Sequence, residues 1–232
     1  MSVQSQIDRI ITAVGNAYRK VSERGGTVPA SQTVANLATA IDSIPAGGAT
    51  KPYIEEIYDS DGNLIDVKMH GYTKIRDHIF EECHSLSLAS LPDEIVSIGS
   101  CAFFECENLA LTSLPLGVTY IGYGAFIGCE NLALTSLPDG ITSIGTQTFY
   151  FCTNLALTSI PAGVTDISYG AFYGCTGLTE LTFLGTPTGI APNSFQDCTN
   201  LTTINVPWAE GAVANAPWGA TNATIHYNYT GG

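Results

Sequence analysis

The segment Asn108–Cys129, NLALTSLPLGVTYIGYGAFIGC, decides the fold, because its pattern returns along most of the chain at one interval. Four residue types recur every 23 residues without an insertion. They are Ile75, Ile98, Ile121, Ile144, Ile167 and Ile190; Phe80, Phe103, Phe126, Phe149, Phe172 and Phe195; Cys83, Cys106, Cys129, Cys152, Cys175 and Cys198; and Leu86, Leu109, Leu132, Leu155, Leu178 and Leu201. Six turns of equal length that stack in register predict a solenoid.

Each repeat consists of short apolar segments separated by Gly and Pro. Segments of this length favour strands and turns rather than long helices. One coil cannot bury its own apolar face, but six neighbouring coils can share a core. We therefore expect the recurrent Leu, Ile, Phe and Cys side chains to point inward and to form ladders along the solenoid axis.

The pattern Leu-x-x-x-x-Leu-Pro-x-x-Val-Thr-x-Ile-Gly-x-x-Ala-Phe-x-x-Cys is clearest in Gly117–Phe126 and Gly163–Phe172. Over about residues 72–207 it resembles the BspA-like leucine-rich repeats of bacterial surface and parasite proteins. The resemblance implies a right-handed solenoid with a β-sheet along one side, and protein or matrix binding rather than catalysis. The predicted fold class is a β-rich leucine-rich-repeat solenoid of 23-residue BspA-like repeats with a small N-terminal α-helical segment, α+β overall.

The apolar spacing changes between the fourth and fifth turns. In the first four turns apolar residues follow the Cys by 3, 5 and 8 positions, as Leu109, Leu111 and Leu114 do. In the last two turns the distances are 3, 6 and 8, as in Leu178, Leu181 and Phe183. A step of one residue reverses the face of a strand on which a side chain lies. We expect a bulge or an irregular coil in the first four turns only, which either marks a functional edge or sets the curvature.

The first 48 residues follow a different pattern and predict a helical attachment or oligomerisation segment. Apolar residues separated alternately by four and three positions predict a helical seam, here called the heptad seam: Val3, Ile7, Ile10, Val14, Ala17 and Val21. Gly25 and Gly26 end this helix, and Pro29 opens a second one. Three arrangements remain open, namely a helical hairpin, a cap on the solenoid, and assembly between chains into a homo-oligomer.

This segment also resembles the N-terminal segments of tail-associated proteins encoded by prophages of gut Firmicutes. The resemblance rests on Met1–Ile7 and on Thr27–Pro29 followed by the apolar stripe Leu37–Ile41. It implies a virion-associated protein with a structural or host-contacting role. The alternative is a bacterial cell-surface adhesin of the BspA-like type.

Two flanking segments complete the predicted domains, which are 1–48, 49–71, 72–207 and 208–232. Residues 49–71 read as a β-hairpin cap, because Asp61-Gly62 is a turn signal between two strand-like runs. The alternative of a calcium loop has its Gly at the wrong position and His70 where a Glu is needed. Residues 208–232, with Trp208 and Trp218, read as a C-terminal cap, and an aromatic carbohydrate site is the alternative.

The charge distribution excludes whole classes of partner. The chain has 21 Asp and Glu against 8 Lys and Arg, and every Lys and Arg lies at or before Arg76. Nucleic-acid binding needs cations that neutralise phosphates, and anionic membrane surfaces need them too. We therefore expect no nucleic-acid partner and no membrane association. No apolar run is long enough for a transmembrane helix, and the charges within the first 25 residues predict no signal peptide.

No catalytic motif is present, so we expect a non-enzymatic protein without a cofactor. The histidines are His70, His78, His84 and His226, and none stands in a metalloprotease, nucleophile-elbow or phosphate-loop pattern. His78 and His84 lie near Glu81 and Glu82, a candidate metal cluster for which a solvated polar edge is the simpler explanation. The periodic cysteines predict buried thiols rather than disulfides or a metal site.

The best-supported chemistry is binding. The residues that follow the core Phe residues are large and apolar in the central turns, and tyrosines occupy the preceding loop. The candidate interaction face is Phe104, Ile127, Tyr150, Phe151, Tyr173, Tyr120, Tyr123 and Tyr169. A contiguous exposed aromatic strip marks an interface, with a protein or a cell-surface glycan as its ligand. The alternative is that these aromatic residues fold over the turns and are half-buried.

Overall fold

The computed structural model describes residues 52–231, which contain strands and turns but no helix. The strands are β1 (Tyr53–Tyr58), β2 (Leu64–His70), β3 (Lys74–Ile75), β4 (Ser97–Ile98), β5 (Tyr120–Ile121), β6 (Ser143–Ile144), β7 (Ser159–Ile160), β8 (Asp166–Ile167), β9 (Glu180–Phe183), β10 (Gly189–Ile190), β11 (Thr203–Asn205) and β12 (Thr224–His226). The predicted helices and the heptad seam lie outside the described residues. Within residues 52–231 no helix is long and apolar enough to cross a bilayer.

Strands β1 and β2 form a hairpin whose loop is held by Asp59. The Asp59 carboxylate accepts the backbone N–H groups of Asp61 and Asn63, each at 2.9 Å, and the side-chain amide of Asn63, also at 2.9 Å. The hydrogen bond from the Asn63 side chain is the main cause that lowers the pKa of Asp59. The Asp59 oxygens, which a calcium loop would use as metal ligands, are thus hydrogen-bonded within the turn.

The recurrent Ile residues form two short parallel sheets, one strand per turn. The first has the order β3-β4-β5 and the second the order β10-β8-β6. Ile75 pairs with Ile98 and Ile98 with Ile121, so the register advances by one repeat at each step. Each Ile is buried while the residue before it faces outward or is half-buried. In the described part of the chain, no strand pairing joins β5 to β6.

A third parallel sheet, of order β12-β11-β9-β7, spans the point where the apolar spacing changes. In β9 the buried Leu181 and Phe183 alternate with Glu180 and Thr182, as a strand with one buried face requires. The equivalent segments of the second and third turns, 109–114 and 132–137, contain no strand. The spacing of 3, 5 and 8 therefore accompanies coil in the first three turns and only the two-residue strand β7 in the fourth, whereas the spacing of 3, 6 and 8 accompanies the longer strands β9 and β11.

The solenoid has about seven turns, one more than the six that the repeat predicts. Trp218 lies one repeat length after Phe195 and is fully buried, and its carbonyl accepts the N–H of Phe195 at 2.9 Å. Strand β12 continues the sheet by parallel pairing with β11. Trp208 packs edge-on against Phe183, with ring centroids 5.3 Å apart. The repeat predicts six turns rather than seven because Trp218 stands where the pattern has Phe.

The core contains two ladders that run along the axis. The Phe rings of successive turns stack with centroids 5.0–5.6 Å apart, from Phe80 to Phe195. Beside them the thiols of successive turns each donate to the carbonyl of a Phe in the preceding turn, as Cys129 does to Phe103 at 3.0 Å. The same bond is made by Cys106, Cys152, Cys175 and Cys198 at 2.9–3.0 Å. All seven cysteines are free thiols.

Candidate functional site

Five of the eight residues of the predicted interaction face lie on two adjacent columns of side chains that follow the core Phe ladder. The first column holds the residue directly after each Phe, and its central members are half-buried: Phe104, Ile127, Tyr150 and Tyr173. The next residue of each turn has a left-handed backbone, with φ between 54° and 69°. We call these residues the left-handed column: Glu82, Glu105, Gly128, Phe151, Gly174 and Asp197.

Three rings of these columns meet in one place, which we call the aromatic cluster: Tyr150, Phe151 and Tyr173. The rings of Tyr150 and Tyr173 stack with centroids 4.8 Å apart and an interplanar angle of 18°. The Phe151 ring stands edge-on to both, at 4.8 Å from Tyr150 and 5.5 Å from Tyr173. Such offset and edge-on geometries are favourable for aromatic pairs. The cluster is therefore an ordered group of rings rather than three separate side chains.

Phe151 places a bulky aromatic residue at a left-handed position that recurs in every turn. Its φ is 56°, a conformation that costs a bulky L-residue about 1–2 kcal/mol. The turns on either side place Gly128 and Gly174 at this position, where no such cost arises. Phe151 is nonetheless 46% exposed. A strained and exposed aromatic side chain points to a role in binding.

Gly174 is the residue that allows the Phe151 ring to lie where it does. A Cβ atom at Gly174 would stand 2.6 Å from Cδ1 and 2.7 Å from Cε1 of Phe151. The ring thus lies directly on the Gly174 backbone, and any side chain there would displace it. The exposed aromatic residue and the glycine of the next turn form one structural unit.

An acidic side chain completes the cluster at its C-terminal edge. The Gly174 N–H donates to the carbonyl of Gln196 at 2.9 Å, which brings Asp197 beside Tyr173. Hydrogen bonding to the Asp197 carboxylate is the main cause that raises the pKa of Tyr173 to about 12. Asp197 is exposed and belongs to the same left-handed column as Phe151, two turns further on. Sequence analysis did not single out Asp197, although its distance of two repeat lengths from Phe151 could have identified it.

The remaining predicted face residues divide into two groups. Tyr169 is 59% exposed and lies close enough to Tyr173 to contribute to its raised pKa. The Tyr123 hydroxyl donates to Oε1 of Gln147 at 2.8 Å. Gln147 in turn lies near Tyr150, because Cγ of Gln147 and Cδ2 of Tyr150 are each 3.5 Å from the position that a Cβ atom of Gly170 would occupy. Tyr169 and Tyr123 thus extend the cluster.

Three predicted face residues do not join the cluster. Tyr120 is 55% exposed on β5 but makes no ring contact with Tyr150, Phe151 or Tyr173. Phe104 and Ile127 share the column of Tyr150, two turns and one turn earlier respectively, and are half-buried. Tyr150 and Tyr173 are half-buried as well, so Phe104 and Ile127 differ from the cluster in lacking a ring contact with it rather than in burial.

The histidines of the first turn form separate polar contacts. Nδ1 of His78 lies 2.9 Å from Oε2 of Glu81, and Nδ1 of His84 lies 2.9 Å from the carbonyl oxygen of Glu105. Among residues 52–231 no group of three or more His, Cys, Asp or Glu side chains is arranged to hold a metal ion. These contacts fit the solvated polar edge that the sequence suggested.

A groove of about 310 Å³ lies where the irregular coil of the fourth turn meets the strand of the fifth. Its lining residues are Ala156, Leu157, Thr158, Gly177, Thr179, Glu180 and Thr182. The Glu180 carboxylate accepts the side-chain amide of Asn205 at 2.9 Å, so it is held in place by the sheet. The groove contains no nucleophile paired with a base, and none of the aromatic cluster lines it.

The fold and the repeat agree with known proteins. A crystal structure of a leucine-rich repeat protein of T. pallidum is 25% identical, with a TM-score of 0.51, and the match covers 66% of this chain and 82% of that one. A leucine-rich repeat protein of Bacteroides ovatus is 22% identical, also with a TM-score of 0.51, and the match covers 66% of this chain and 45% of that one. No curated protein matches the chain.

The family assignment rests on the repeats themselves. Residues 73–207 match, in six copies, the family described as BspA type Leucine rich repeat region. The matched part includes the Phe and Cys ladders and the whole aromatic cluster. The chain belongs to the BspA-type leucine-rich repeat family.

Proposed function

We propose that this protein is a non-enzymatic interaction module whose solenoid presents the aromatic cluster to a protein ligand. The observation that carries the proposal is Phe151, which is held in a strained left-handed conformation and nearly half exposed in contact with Tyr150 and Tyr173. Aromatic residues, Tyr above all, are enriched in protein interfaces and among the residues that dominate binding energy. Repeat solenoids commonly use such extended surfaces for binding.

We further propose that the chain is a prophage tail-associated protein, attached or assembled through residues 1–48. The resemblance of Met1–Ile7 and the stripe Leu37–Ile41 to prophage tail-associated proteins supports this role, together with the heptad seam. The second candidate is a bacterial cell-surface adhesin, which the BspA-type repeats support because such proteins are often found at cell surfaces. The two candidates differ in whether the chain assembles.

Binding through the aromatic cluster is tested on intact cells. The labelled full chain is expected to bind saturably to cells of a gut Firmicute or of intestinal epithelium in flow cytometry. The triple variant Tyr150→Ala, Phe151→Gly, Tyr173→Ala should lose at least about tenfold in affinity, because three interface rings are removed. The matched control is Leu116→Ser, since Leu116 is an apolar side chain that is 91% exposed outside the cluster. Absence of saturable binding, or equal binding by the triple variant, would contradict the proposal.

Assembly through the heptad seam is tested by light scattering on the full chain. A defined oligomer is expected, and the double variant Ile7→Asp, Ile10→Asp should dissociate it, because two carboxylates would be buried in an apolar seam. The control is Ser5→Asp, Thr12→Asp, which adds the same charge on the face of the predicted helix opposite the seam. A monomeric full chain would remove the assembly role and leave the adhesin as the better candidate.

A further inference from the structure

We infer that the ligand of the aromatic cluster is cationic, namely a protein segment whose Lys or Arg side chain docks against Tyr150, Phe151 and Tyr173 beside Asp197. This inference rests on the proposed function and adds the chemistry of the partner. It depends on three features of the described residues: the ring geometry, the adjacent carboxylate, and the charge of the solenoid.

The ring geometry suits a cation. An ammonium or guanidinium group is attracted to an aromatic face when it lies within about 6 Å of the ring centroid. The three centroids of the cluster lie 4.8–5.5 Å from one another, so a single cation can come within reach of more than one ring. Because Phe151 stands edge-on to the stacked tyrosines, its face has a different orientation from theirs.

The carboxylate of Asp197 adds a charge to the same place. The backbone of the adjoining residue Gln196 accepts the N–H of Gly174 at 2.9 Å, which places the acid at the edge of the cluster. A cation that contacts the Tyr173 ring therefore also approaches a carboxylate, and it gains both an ion pair and a ring contact. Aromatic faces flanked by acids are a poor surface for a phosphate or a carboxylate ligand, because like charges repel.

Beyond Arg76 the solenoid supplies no Lys or Arg of its own. Residues 77–232 contain 13 Asp and Glu but no Lys or Arg, so no basic side chain of these turns can occupy the cluster. Two further acids, Glu82 and Glu105, stand on the same left-handed column. This negatively charged surface attracts a basic partner and raises its association rate. A neutral glycan would stack on the rings but would gain nothing from these charges.

The test uses three synthetic peptides of one Gly/Ser sequence with three spaced lysines, titrated into the full chain and followed by NMR chemical shifts at 0.15 M salt. The first carries free lysines, the second ε-trimethyl-lysines, and the third ε-acetyl-lysines. Trimethylation keeps the charge and removes the hydrogen-bond donors, whereas acetylation removes the charge. We expect the first two peptides to bind with similar affinity and the acetylated peptide to bind at least about tenfold more weakly.

Variants separate ring contact from general attraction to an acidic protein. Phe151→Gly leaves the net charge unchanged and introduces the residue that the neighbouring turns carry, so it should fold with an unchanged or higher melting temperature. We expect this substitution to lower the affinity for the free-lysine peptide about five- to tenfold. Asp197→Asn should lower the affinity for the same peptide several-fold. The control Asp139→Asn removes an equal charge from another exposed loop position and should change this affinity by less than about twofold.

Several results would overturn the inference. If Phe151→Gly binds the lysine peptide as tightly as the unchanged chain, the attraction is only that of a polyanion for a polycation. If the lysine peptide does not bind at about 10 mM, which is close to the weakest affinity that the titration can measure, no cation site exists. If neutral oligosaccharides or the acetylated peptide bind in a Phe151-dependent manner while the lysine peptide does not, the ligand is not cationic. The proposed function is tested separately by cell binding of the triple variant, so cluster-dependent cell binding would leave that function standing without this inference.

Discussion

Raising the pH from 8 to 10 is expected to lower the free energy of unfolding by roughly 5–7 kcal/mol, because five ladder thiols stay protonated only in the folded chain. Burial raises the pKa of Cys106 and Cys198 to about 12 and that of Cys129, Cys152 and Cys175 well above the ordinary value of 9.0. Since the folded-state pKa is raised, this stabilisation is fully present below pH 9. It is lost as the pH rises from about 9 through 12, where unfolding releases the protons.

The measurement is a series of urea unfolding curves between pH 7 and pH 10 in the presence of a reductant. Above pH 9 the slope of unfolding free energy against pH should approach roughly one proton per ladder thiol. Cys152→Ala should reduce this slope by about one proton. Cys83→Ala should reduce it less, because Cys83 is only half-buried. A free energy of unfolding that stays level from pH 8 to pH 10 would show that the ladder thiols do not titrate on unfolding.

The ladders could be predicted from the sequence because they depend on periodicity alone. A residue that returns at the same position in every turn faces the same environment in every turn, so Phe126 and Cys129 had to be core residues. The seventh turn did not follow from periodicity, since Trp218 replaces Phe. The register also changes, because β12 pairs Ile225 with Ile204 and is thus two residues short of a full repeat.

The candidate site was only partly predictable, for a different reason. The sequence placed large apolar residues beside one another in successive turns, and Tyr150, Phe151 and Tyr173 do meet. It could not show that Phe151 has a left-handed backbone or that its ring lies on Gly174. Both depend on the path of the chain between the repeated positions. Asp197 was missed because exposed acidic residues are common in this chain. Nothing distinguishes Asp197 from the others until the structure shows that it shares a column with Phe151.

Replacing Phe126 by Ala is expected to cost about 3–5 kcal/mol of unfolding free energy, as deletion of a buried Phe ring does. The ring is fully buried and stacks on both neighbours, at 5.5 Å from Phe103 and 5.6 Å from Phe149. In a solenoid each turn is stabilised by its contacts with the next, so a defect in a central turn weakens two interfaces at once. Urea unfolding measures the loss, and Ile127→Ala, at the adjacent half-buried position, should cost markedly less.

The position of the defect along the axis gives this prediction a second readout. Phe80 stacks on Phe103 alone, at 5.4 Å and with a larger interplanar angle of 22°. Phe80→Ala should therefore lower amide protection mainly in the first turn, whereas Phe126→Ala should lower it in the turns on both sides of the substitution. Hydrogen exchange with mass spectrometry resolves the two patterns. Equal losses spread over all turns in both variants would mean that the solenoid unfolds as a single cooperative unit and that the ladder does not transmit stability from turn to turn.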